Sequence, residues 1–171
     1  MHAFTFPVVG GRITSEFGKR EAPTAGASVN HAGIDVSVPK GTFVMAALPG
    51  VVKSAGYNPA YGYNVVLSHG DGLETVYKHL SRILTPKAGT AVSQGQIFAL
   101  SGNTGSATTG AHLHFEMKKD GKAIDPMSFS VVDRISAVSG IDFDTDSLIG
   151  ILKENWWIIA LSLVVLAVIK K

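Results

Sequence analysis

Up to residue 129 this chain is cut into short apolar runs by Gly, Pro, Asn-Pro or Asp-Gly, and that punctuation constrains its fold more than any other feature. "RITSEF", "IDVSV", "TFVMAAL", "GVVKSAG", "YNVVLSH", "LETVYKH" and "QIFALSG" read as strands, and no segment before the C-terminal end sustains a 3.6-residue apolar period. "HGDG", between "NVVLS" and "LETVY", marks a hairpin, because Asp-Gly accepts the positive φ angles of a tight turn. The predicted fold is mainly β: a compact antiparallel sheet domain without internal repeats.

Within that pattern, "TGAHLHFEM" (109–117) carries two histidines one residue apart. Side chains alternate along a strand, so Leu113, Phe115 and Met117 share one face and His112, His114 and Glu116 the other. The first face reads as core. The second is either a set of hydrogen-bonded spacers or the wall of a site. The chain has no cysteine, so a metal would have to sit on imidazole and carboxylate.

A second pair lies in "NHAGIDVSVP", where His31 precedes Asp35 by four residues. Ile34, Val36 and Val38 alternate with Asp35 and Ser37, which puts the carboxylate off the apolar face. Gly33 is expected to turn the chain and bring His31 back beside Asp35. His79 closes the run "TVYKHLS". Four imidazoles and one carboxylate in one small β-domain suffice for a catalytic zinc site, which needs three protein ligands and one open position. A net charge of +2 without a basic run gives no indication of nucleic acid as a partner.

"VNHAGIDVSVPKGTFV", "GYNVVLSHGDGLETVYKHLS" and "SGNTGSATTGAHLHFEM" resemble the M23 peptidases, the LytM/lysostaphin-like zinc endopeptidases of peptidoglycan. "PVVGGRITSEFGKR" is similar to the usual opening of that domain, and the resemblance covers about residues 6–129. It implies one zinc per chain on His31, Asp35 and His114, with His79 and His112 as the catalytic histidines. It also implies a substrate groove and metal-assisted hydrolysis of stem-peptide or cross-bridge amides. One of the two catalytic histidines would take the proton of the attacking water and the other would stabilise the oxyanion, in an order the sequence leaves open. Glu116 reads as a support for the site or as structural, and His69 as a turn-stabilising residue. Loops 54–64 and 101–110 are expected to wall the groove, with Tyr61 and Tyr63 either lining it or packing on the sheet.

The remainder divides into a connector (130–147) and a terminal helix (148–171). "DFDTDS" lacks the glycine and the bidentate glutamate of a calcium loop and reads as a solvated acidic linker. Leu148 to Ile169 spans roughly 33 Å as a helix, enough for a hydrocarbon core of about 30 Å, although "KEN" leaves only fourteen uninterrupted apolar residues. Trp156 and Trp157 suit one membrane interface, and Lys170 with Lys171 suit the other. The expectation is a single C-terminal anchor in a lipid membrane. No signal peptide is read at the start. The expected setting is therefore the internal membrane of a virion, among other virion proteins, or the bacterial cell envelope. Two other readings compete with the enzyme: an inactive M23-like binding or regulatory module, and a structural virion membrane protein. Inactive modules typically lose ligands, whereas all five positions are kept here. A chain ending at residue 147 should be soluble and folded, while the full chain should stay with membranes through carbonate extraction. Release of the full chain by salt alone would mean the helix lies on the surface.

Overall fold

The computed structural model describes residues 4–21, 28–84 and 87–129; His2, the expected connector and the expected C-terminal helix lie outside them. Among the described residues every regular element is a strand, and no helix is long and apolar enough to cross a membrane. In chain order the strands are β1 (Arg12–Ser15), β2 (Gly18–Lys19), β3 (Asn30–His31), β4 (Ile34–Ser37), β5 (Phe43–Met45), β6 (Gly50–Asn58) and β7 (Gly62–Ser68). They continue as β8 (Leu73–Leu80), β9 (Arg82–Ile83), β10 (Ala91–Val92), β11 (Ile97–Leu100), β12 (His112–Lys119) and β13 (Lys122–Ile124). The main sheet runs β1-β4-β12-β8-β7-β6-β10, with β13 folded back on β12. Every pairing in it is antiparallel. A smaller sheet, β5-β11-β9, packs against it, and β2 and β3 form a two-stranded ribbon.

Alternation decides which face is core. Leu113, Phe115 and Met117 of β12 and Ile34 and Val36 of β4 have no exposed surface. Tyr77 of β8 joins the two sheets: its ring stands edge-on to Phe98 of β11 at 4.8 Å and lies 5.3 Å from Phe115. Such pairs add roughly 0.5–1.5 kcal/mol beyond the area they bury. The Tyr77 hydroxyl is not stranded by this burial, because it accepts the Ala47 N–H at 2.9 Å.

The Asp-Gly turn forms as its sequence predicts. Asp71 and Gly72 have φ of 46° and 72°, and the Leu73 N–H donates to the Gly70 carbonyl at 2.8 Å. One expectation needs correction, and another gains a second reason. Residues 54–64 are not a loop, since β6 and β7 run to within three residues of each other and form a long hairpin. The outer part of β6 has no apolar alternation because it is held by backbone pairing rather than by burial. Gly33 lies at a bend that returns His31 to within 3.2 Å of Asp35, as expected, and it also permits close approach: a Cβ there would lie 2.1 Å from the Phe115 carbonyl oxygen of β12. Gly33→Ala should therefore push β4 from β12 and cost about 3 kcal/mol of stability in urea unfolding. A loss under about 0.5 kcal/mol would show that the strands part without strain.

Candidate metal centre

The register between β4 and β12 places His114 opposite Asp35 and His112 opposite Ser37. His31, at the end of β3, arrives from the other side. The site therefore draws on two strands of the main sheet and the ribbon beside it. Asp35 Oδ1 lies 3.2 Å from His31 Nε2 and 2.7 Å from His114 Nδ1, and the two nitrogens are 3.1 Å apart. These three residues are the group among the described residues whose donor atoms converge closely enough to hold one ion.

Hydrogen bonds on the outer side fix the tautomers. His31 Nδ1–H donates to the Glu16 carbonyl at 2.7 Å, which leaves Nε2 as a lone pair. His114 Nε2–H donates to Glu116 Oε1 at 2.9 Å, which leaves Nδ1 as a lone pair. Arg20 Nη1 donates to Asp35 Oδ2 at 2.8 Å, which leaves Oδ1 turned inward. His31 Nε2, His114 Nδ1 and Asp35 Oδ1 thus face one another, and a cation among them would take the place of a proton on His114. A tetrahedral zinc with bonds of about 2.0–2.1 Å needs ligand atoms roughly 3.3 Å apart. The donor set and its spacing fit such an ion.

The electrostatics point the same way. Burial opposes the charge on Asp35, but the His114, His31 and Arg20 contacts outweigh it and hold the carboxyl well below the usual carboxylate range. Burial also opposes protonation of His114, yet hydrogen bonds to Asp35 and Glu116 raise its affinity for a proton. A metal cation and that proton compete for one lone pair, so metal uptake displaces the proton and metal affinity increases as pH rises.

His79 and His112 stand beside the triad with ring centroids 4.8 Å apart. His112 Nδ1–H donates to the Gly110 carbonyl at 2.8 Å, and Nε2 lies 3.7 Å from Asp35 Oδ1. His79 Nδ1–H donates to the Thr104 carbonyl at 2.9 Å. Burial pushes the His79 pKa down to about 4, so its Nε2 is an unprotonated base at neutral pH. The residue also has φ of 60°, a left-handed conformation that L-residues with bulky side chains seldom adopt. Its backbone N–H donates to the Tyr61 carbonyl, which pins that conformation.

Sequence reasoning missed Thr104, whose carbonyl orients His79. Its hydroxyl donates to the Leu80 carbonyl at 2.6 Å and accepts the Tyr63 N–H at 3.0 Å. Gly62 makes the latch possible, since a Cβ there would lie 2.0 Å from that hydroxyl. Arg20 and Lys78 were missed as well, because their partners are distant in the chain and no spacing announces them. His69 lies apart from the site, bonded to the Pro49 carbonyl and the Thr75 hydroxyl.

All five site residues line one open groove of about 780 Å³. Tyr61 and residues 107–111 form parts of its walls. Tyr63 does not line it and instead packs edge-on against Tyr57 at 5.1 Å.

The family model for Peptidase family M23 matches residues 29–126. The chain is 39% identical over 133 residues to an uncharacterized metalloprotease of Haemophilus influenzae, covering 77% of this chain and 28% of that protein. It is 40% identical over 121 residues to the peptidoglycan DD-endopeptidase ShyA of Vibrio cholerae, covering 70% and 28%. Among solved structures it resembles a zinc containing peptidase from Vibrio cholerae with a TM-score of 0.67 and 38% identity, over 74% of this chain and 40% of that one. The chain thus spans under a third of the length of the two relatives matched by sequence. The match covers both segments that carry the converging donors, and the chain belongs to peptidase family M23.

Proposed function

We propose that this chain is a zinc-dependent endopeptidase that cuts peptide cross-links of bacterial peptidoglycan, with one zinc per chain on His31, Asp35 and His114. One observation carries the reading. Two imidazole nitrogens and one carboxylate oxygen converge within 3.2 Å of one another, beside two further imidazoles on an open groove. The relatives named as a metalloprotease and a peptidoglycan DD-endopeptidase support the substrate class.

When bound, zinc would supply Lewis acidity for the scissile carbonyl and lower the pKa of a coordinated water. The chain's own residues do the rest. His79 and His112 are the catalytic histidines, each with Nδ1–H committed to a backbone carbonyl and Nε2 free to accept a proton. One takes a proton from the attacking water at Nε2; the other, once protonated, donates towards the developing oxyanion. The groove admits an extended peptide between Tyr61 and residues 107–111. We further propose that residues 148–171 anchor the enzyme in a membrane, on the strength of the apolar run with its tryptophan and lysine flanks.

Chelator should abolish hydrolysis of purified peptidoglycan by the full chain, and zinc rather than calcium should restore it. Restoration by calcium alone would sink the zinc reading. His114→Ala should lose the metal. His112→Ala should keep it and lose about 100-fold or more in turnover, with metal content and rate measured on the same preparations. Equal metal loss in both variants would reverse the division between ligand and base.

A further inference from the structure

We propose that Lys78 and Glu116 are positioning residues for the metal: Lys78 fixes the Glu116 carboxylate, and that carboxylate fixes His114 in the tautomer that presents Nδ1. The inference rests on the metal reading above and extends it to two residues outside the ligand set.

His114 differs from the other three site histidines. His31, His79 and His112 each donate Nδ1–H to a backbone carbonyl, which the fold itself holds in place. His114 alone among them donates Nε2–H, and it does so to a side chain. Its orientation is therefore only as secure as that of Glu116.

Glu116 is 1% exposed on the site-facing side of β12. A buried carboxylate persists as an anion only with charged or hydrogen-bonding partners. Lys78 supplies the principal one, because the β8–β12 register sets it directly opposite His114 and its ammonium donates to Glu116 Oε1, the same oxygen that His114 uses. The ammonium also lies 4.1 Å from the centroid of the Tyr61 ring, a cation–π contact on its other side. Lys118 approaches the second oxygen, Oε2, at 3.1 Å but is more exposed, and that oxygen has no hydrogen bond among the described residues. The result is a continuous path Tyr61–Lys78–Glu116–His114 from the groove wall to the metal ligands.

Two effects of Lys78 oppose each other. Its positive charge repels a cation bound nearby, so charge alone predicts tighter metal binding when Lys78 is removed. Its grip on Glu116 predicts the reverse, since partners that orient a metal-binding histidine typically contribute 10- to 100-fold in affinity. Of the two imidazole ligands, His31 is held by a backbone carbonyl and His114 by Glu116 alone, so the positioning effect dominates at His114.

The test measures zinc affinity of the full chain in detergent, by competition with a chromophoric chelator, for wild type, Glu116→Gln, Lys78→Met and Lys78→Arg. Nitrogen-15 imidazole spectra of the same zinc-loaded samples report the tautomer of His114. Glu116→Gln should weaken zinc binding about 10- to 100-fold, and Lys78→Met about tenfold with loss of the His114 Nε2–H signal. Lys78→Arg should stay within about twofold of wild type. If Glu116→Gln fails to fold, the two Lys78 variants decide the matter. Unchanged or tighter binding in Lys78→Met with the His114 tautomer intact overturns the inference, even if that variant melts lower. A wild-type chain that takes up no zinc overturns the metal reading and this inference together.

Discussion

The structure depends on the antiparallel pairing of β4 with β12. That single register puts Asp35 opposite His114, and Ile34 opposite Phe115, so it aligns the site and the core at once. Directly paired residues on one sheet face lie within roughly 4.5–5.5 Å of each other at Cβ. A slip of one residue would send Leu113 and Phe115 into the groove and both histidines into the apolar interior. Burial of Leu113, Phe115, Ile34 and Val36 therefore enforces the geometry of the metal centre, although none of these side chains belongs to it. Gly33 contributes by absence, letting the chain before β4 come against the Phe115 carbonyl.

On that frame the polar groups are arranged so that protons point outward and lone pairs point inward. The Glu16 carbonyl, Glu116 and Arg20 each occupy the outer side of one member of the triad. The Gly110 and Thr104 carbonyls do the same for His112 and His79. The outer contacts hold the imidazoles in orientation before a cation or a substrate arrives. Such a site resembles a mould more than a hinge, and its loops are tied down by backbone contacts such as those of Thr104.

Much of this was legible in the sequence wherever the signal was local. The two-residue period of "HLHFEM" assigned each side chain of β12 to its face, and Asp-Gly located its turn. The five site residues were picked out by residue type and family resemblance, and the fold does bring them to one groove. What escaped depends on register between distant segments. Lys78 sits in a run that reads simply as strand, and only its position across from His114 gives it a partner in Glu116. Thr104 lies in a glycine-rich stretch whose composition suggests a free loop, yet it is bonded to two strands. The outer part of β6 reads as loop in the sequence because pairing through the backbone leaves no pattern in side chains. The bend at Gly33 is legible, but its close approach to the carbonyl of residue 115 is invisible from residue 33.

The place of β12 in the sheet has a consequence for the timing of assembly. It is the last long strand of the described domain in chain order, yet it lies between β4 and β8 near the middle of the sheet. His114 reaches Asp35 across 79 residues and His31 across 83. Contacts of such separation form late, after the loop entropy between them has been spent. While the chain is being made from its N-terminus, β4 and β8 wait with open edges, and two of the three converging donors exist without the third. A fragment released before residue 112 has neither His112 nor His114 and holds no complete site. Whatever hydrolytic power this domain carries is therefore withheld from unfinished chains, and completion of the sheet is what arms it.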